Sequence, residues 1–300
     1  QTCALPILLL MICIVSVSFL NLGFSEAARR KMDGAAVILA NYICVVTISA
    51  VILVTLGWPD GTFDLKLLLH SPITWEKDSL YTYGILLGIV NGFFYYIYFD
   101  VTQKGIERSG PSLTTLAAKL GIIVFSGATV GLWGERMTGN LFLGMVIACI
   151  AFFLLLEGKK SFSGMIPIVF LVGGLTEIVK KLYTIHSVDE HIIMFNFLAF
   201  FVSLLLSAAV LYKKQHSLRM TKGEFILGCL IGVSNLIASY ATITVLTEIP
   251  ASVVFPTLSG GTIMLTALFG AMFYGEVLSR RKVIGIFFTI ASLVLMNLGK

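Results

Sequence analysis

Ten apolar runs of about twenty residues, joined by short polar turns, make up most of this chain. In hydrocarbon a backbone has to pair its own N–H and C=O groups, so a run of that length reads as a membrane-spanning helix. The runs lie at 4–24, 35–57, 81–101, 111–133, 139–156, 165–183, 190–211, 223–246, 250–274 and 283–298. Charged residues are 12% of the chain, whereas soluble domains carry about 25%. The expected fold class is all-α: a polytopic, multi-pass protein of the cell (inner or plasma) membrane, with the lipid bilayer as its surroundings. Lys and Arg exceed Asp and Glu only by 21 to 16, and the excess sits in loops, so no nucleic-acid partner is expected.

A repeat narrows the architecture further. One helix opens on Pro111 and ends at Gly134-Glu135-Arg136, and the next follows Thr138. The same plan returns where Pro250 opens a helix, Gly275-Glu276 ends it and Ser279 precedes the next run. Glu135 and Glu276 are 141 residues apart, and so are Gly144 and Gly285. Upstream, Gly84, Gly88, Asn91 and Tyr96 match Gly228, Gly232, Asn235 and Tyr240 at an offset of 144, and Asn41 corresponds to Asn196. A period this long means duplicated domains. We divide the chain into a first five-helix repeat at 8–157 and a second at 162–300. A repeat with an odd number of spans re-enters the membrane upside down, so the expectation is ten transmembrane helices as two inverted five-helix repeats. Residues 1–7 look like a translated sequencing adapter and are expected to be a non-native scar.

Loop charge bears on orientation. Odd-numbered loops hold 14 Lys and Arg and even-numbered loops 5, counting Lys180 and Lys181 among the latter, which favours cytoplasmic odd loops. The five Cys all lie in apolar segments without CxxC or Cys/His spacing, so they read as small packing residues, with no metal or cofactor expected.

With GPSLTT…WGERMTGNLFLG closing one half and PASVVF…YGEVLSRRKVIG closing the other, the chain resembles the drug/metabolite transporter superfamily, in particular its EamA-like members. The likeness covers nearly the whole sequence. It implies a carrier of small metabolites or drugs, proton-coupled or an exchanger. It also implies a substrate cavity between the halves, lined by the first, third, fourth, sixth, eighth and ninth helices. Relatives keep both termini cytoplasmic, opposite to the charge count. Small multidrug members carry a coupling Glu in the first helix of their repeat. Glu177 resembles it in the second half, while Asn21 stands near that place in the first.

Several residues are candidates for substrate binding. Lys119 lies eight residues past Pro111, about 12 Å into the membrane at 1.5 Å per residue. A charge at such depth costs roughly 2.5–3.5 kcal/mol to insert, so it should face a cavity or a partner. Its functional reading is a ligand for an anionic group, and the alternative is a structural or snorkelling Lys. Glu177, about 18 Å past Met165 by the same rise, could carry a proton or form a salt bridge with Lys119 or Lys180. Asn91 with Tyr95, and Asn235 with Ser239, sit at i, i+4 below Gly84-xxx-Gly88 and Gly228-xxx-Gly232. Each stripe reads either as a packing seam or as a cavity wall. Ser259 belongs with Pro256, Gly260 and Gly261 to a stretch that loosens the ninth helix, and it reads either as a break presenting backbone groups to a substrate or as a harmless kink, the reading we favour. Gly134, Glu135, Gly275 and Glu276 read as structural hairpin residues.

The expected function is secondary active transport of a small metabolite or drug-like molecule, by alternating access between the halves. The alternatives are a membrane-embedded enzyme and a non-transporting scaffold or receptor. An enzyme is not expected, since no span carries HExxH, paired Asp or a nucleophile with its base. No GxxxxGK[ST] supports ATP drive.

Overall fold

The computed structural model describes every residue except 1–3, 64–76, 112, 122–137, 156–163, 187–191, 250, 275–278 and 298–300. Among the described residues the chain forms nine helices: α1 (Ala4–Arg29), α2 (Gly34–Leu56), α3 (Lys77–Ser109), α4 (Gly139–Leu155), α5 (Met165–His186), α6 (Ile192–Gln215), α7 (Lys222–Glu248), α8 (Ala251–Tyr274) and α9 (Arg280–Asn297). The fourth expected span is seen over residues 113–121, which are helical. Five helices are long and apolar enough to cross a membrane, namely α1, α2, α3, α6 and α7, and α8 and α9 contain shorter apolar stretches. The described residues are thus all-helical apart from their turns, as in a multi-pass membrane protein.

Local chemistry sets the boundaries. Asp33 caps α2, its carboxylate accepting from the Ala35 N–H at 2.9 Å. Thr221 and Glu224 form a reciprocal capping box at the start of α7. Gly110 ends α3 with φ +85°, its N–H donating to the Ile106 carbonyl, and Pro111 then begins the next helix. The carbonyls of Thr138 and Ser279 accept the first helical bonds of α4 and α9, from Phe142 and Val283, at 3.1 Å each. The expected hairpin residues Gly134, Glu135, Gly275 and Glu276 lie outside the described residues.

Helices that lie on opposite sides of residues 157–161 make most of the packing: α1 on α7 and α8, α2 on α6 and α7, α3 on α5 and α6, α4 on α9. The largest apolar cluster joins Phe24, Tyr42 and Phe99 to Phe200 and Ile231 across that division. Large apolar side chains such as Val54 and Phe287 remain exposed on the outer faces, as lipid requires.

One alternative is decided and one expectation changes. The helix α8 is continuous from Ala251 to Tyr274, so the stretch from Pro256 to Gly261 fits a harmless kink and not a break. Gly261 serves close packing instead: a methyl group there would lie 2.6 Å from Ile14 Cδ1. Hydrocarbon also penalises any backbone group released by unwinding. Lys180, counted in a loop, lies inside α5 and is buried, because that helix runs on to His186.

Candidate functional site

The site forms where residues 113–121 cross α5. The crossing is set by two glycines: a methyl group on Gly121 would run into the Phe170 carbonyl, and one on Gly173 would lie 3.0 Å from the Ala118 carbonyl. The two backbones therefore touch. Lys119 follows Ala118, and Glu177 stands one turn beyond Gly173, so the crossing brings both to one space. Lys180 follows at i+3 from Glu177, and its Nζ donates to Glu177 Oε1 at 2.9 Å. It also lies 5.1 Å from the centroid of the Tyr95 ring, within cation–π range.

The opposite wall comes from α3 and α7. The Tyr95 hydroxyl is 3.1 Å from Ser239 Oγ, which donates to Asn196 Oδ1 at 2.7 Å. Ser239 has one proton and gives it to Asn196, so Tyr95 is the donor to Ser239. Asn235 Nδ2 donates to Asn41 Oδ1 at 3.3 Å. Val17, Leu20, Phe99 and Leu258 supply apolar surface. Together these groups line a cavity of about 40 Å³, room for a few waters in this conformation. The contributing helices are α1, α3, the 113–121 helix, α5, α7 and α8, the positions the family resemblance implied for a cavity.

The structure thus brings together Lys119, Glu177, Tyr95, Asn235 and Ser239. Asn91 and Ser259 are fully buried but lie off the cavity lining, and neither Asn91 amide atom nor the Ser259 hydroxyl has a hydrogen-bond partner. The sequence reading missed Thr176, Tyr98 and Thr242 on the wall, and it counted Lys180 as a loop charge. The i, i+3 spacing from Glu177 to Lys180 was the available signal.

Lys119, Glu177 and Lys180 are each less than 10% exposed (4%, 8% and 5%). Burying ionised groups costs several kcal/mol apiece unless they are paired. Lys180 and Glu177 satisfy one another, whereas Lys119 has no hydrogen-bond or ion-pair partner among the described residues, and Glu177 Oε2 is likewise unpartnered.

Residues 163–298 match the model of the EamA-like transporter family. A crystal structure described only as that of a protein aligns with a TM-score of 0.63 at 12% identity, covering 97% of this chain and 98% of that one. At that identity the likeness is one of fold. The comparison with curated proteins found no match.

Proposed function

From the premise that residues 163–298 are an EamA-like transporter domain, of the drug/metabolite transporter superfamily, we propose that this protein carries a small molecule across the membrane through the cavity that holds Lys119, Glu177 and Lys180. The family is one of transporters, not enzymes. The observation that carries the reading is the charged cavity itself. A scaffold gains nothing from three buried ionisable side chains, one of them unpaired, and intramembrane charges mark transport pathways by default.

We assign substrate contact to Lys119, Glu177, Tyr95, Asn235 and Ser239, and packing to Asn91 and Ser259. The carrier works by alternating access between two inverted five-helix repeats, 8–157 and 162–300. Two features support the repeat. A methyl group on Gly232 would lie 2.8 Å from the Asn41 carbonyl of α2, and one on Gly88 would lie 3.1 Å from the Phe195 carbonyl of α6. Gly88 and Gly232 are repeat mates, and Phe195 adjoins Asn196, the mate of Asn41. Tyr95 and Ser239, also 144 residues apart, touch each other, as equivalent positions beside a two-fold axis would.

Lys119 and Glu177 come from different halves, so rocking one half on the other changes their separation. In the coupling step Glu177 exchanges a proton, held between Lys180 on its own helix and Lys119 across the crossing, with the Tyr95 and Tyr98 rings alongside. Transport into proteoliposomes tests this. Glu177→Gln keeps shape and removes titration, and it is expected to abolish the pH dependence of uptake with the fold intact. A pH profile unchanged from wild type in that variant rejects the coupling role.

A further inference from the structure

We propose that Cys44 of α2 and Cys229 of α7 form an inter-helix dithiol site that takes a neutral trivalent arsenical, R–As(OH)2, bridging both sulfurs. Neither residue lines the cavity, so the site stands apart from the transport reading. Two glycines bring the helices together. A methyl group on Gly228 would lie 2.6 Å from the Val37 carbonyl, and one on Gly232 would lie 2.8 Å from the Asn41 carbonyl and 3.0 Å from Cys44 Cβ. Cys229 stands one residue after Gly228 and one turn before Gly232, so it comes level with Cys44. The two thiols are free and half-buried, and they share a hydrogen bond. Cys13, by contrast, is fully buried and donates to the Ala238 carbonyl. Packing alone does not call for this pair. By the correspondence of Asn41 with Asn196 and of Gly228 with Gly84, the matching residues of the other half are Ala199 and Ile85, and the seam between α3 and α6 closes without a thiol.

The surroundings choose the ligand. Both helices start on the face where the Asp33 N–H meets Glu224. Cys44 lies ten residues past Gly34 and Cys229 seven past Lys222, about 15 and 10 Å along their helices. Ile226, Leu230 and Val233, which surround Cys229 on α7, are exposed, so the pair opens toward lipid. A ligand arriving there crosses hydrocarbon, and any charge it brings or leaves is penalised. Two thiolates on a monovalent soft cation would leave one negative charge. Zinc takes four ligands in a structural site, and the described residues hold no group of three His, Cys, Asp or Glu that could bind a metal. Disulfide formation proceeds through a thiolate, a charge of the same kind. A trivalent arsenical avoids every charge. Two S–H and two As–O bonds break, two As–S and two O–H bonds form, and two waters leave, with the oxidation state of arsenic unchanged. The product staples α2 to α7, the helix that carries Asn235 and Ser239 to the cavity.

Phenylarsine oxide on the reduced full-length protein in nanodiscs tests the site. Wild type is expected to take up a phenylarsenic group that a monothiol, 2-mercaptoethanol, fails to remove and a dithiol, 2,3-dimercaptopropanol, removes. Digestion of that adduct should give the Cys44 and Cys229 fragments joined through arsenic, read by mass spectrometry. Closing the second As–S bond is intramolecular, so Cys44→Ala and Cys229→Ala should each weaken retention by about a hundredfold or more. Cys3→Ala combined with Cys149→Ala should leave it unchanged. The proposal is overturned if the monothiol strips the wild-type adduct, if the arsenic joins any other pair of fragments or none, or if either single variant retains the group as wild type does. The fragment measurement needs no variant, so it decides the case even where a substitution harms folding.

Discussion

At the scale of single residues, the charges were legible and their company was not. Lys119 and Glu177 stood out because a charge amid twenty apolar neighbours has one cheap explanation. Lys180 did not, because it lay three residues from an expected helix end, where a Lys reaches the headgroups without cost. Asn91 and Asn235 hold equivalent places in the repeat, yet Asn235 bonds Asn41 while both polar atoms of Asn91 are buried without a partner. Sequence periodicity cannot show that difference, which depends on where a neighbour's amide points. A buried unpaired amide is a cost the molecule carries, about 1–3 kcal/mol. Asn91→Leu, which keeps the branched heavy-atom skeleton, is therefore expected to leave stability unchanged or raise it. Asn235→Leu strands the Asn41 carbonyl and should lower stability by about 1–2 kcal/mol. Thermal unfolding in detergent measures both, and a greater loss in the Asn91 variant would contradict this account.

At the scale of elements, helix existence was legible and helix length less so. As far as the described residues reach, each apolar run falls on a helix, but α3 begins at Lys77 and α6 runs to Gln215, because polar end turns stay helical outside the apolar window. The glycine spacings announced seams, and the seams exist, though unequally. A methyl group on Gly228 would lie 2.6 Å from the Val37 carbonyl, and one on Gly232 would lie 2.8 Å from that of Asn41. On Gly84 the nearest atom would be Met194 Cε at 3.4 Å, an ordinary contact. Gly84→Ala should thus be neutral or stabilising by up to about 1 kcal/mol, the helix-propensity gain. Gly232→Ala should be destabilising, since backbone has to move. The same unfolding assay separates them, and equal effects would mean that the seam between α7 and α2 is looser than its geometry.

At the scale of the whole molecule, the two segments flanking residues 157–161 are interleaved, so the core lies between them more than within either. One face is fastened by polar contacts: Lys214 Nζ to Asp33 Oδ1 at 2.8 Å, and the Asp33 N–H to Glu224 Oε1 at 2.9 Å. This face carries the odd-numbered loops, which the basic excess assigns to the cytoplasm. A Cys introduced by Gln215→Cys is expected to resist a membrane-impermeant thiol reagent in intact cells, and rapid labelling would reverse the orientation. The exposed ion pair there is worth little, about 0–1 kcal/mol. The contact between residues 113–121 and α5 is of another kind. Backbone rests on backbone at Gly121 and Gly173, and Leu116 and Leu120 pack with Ile166 and Val169 beside that contact. Under the proposed transport, movement at this crossing would carry Lys119 and Glu177 with it, so that pivot and cargo seat would be one place.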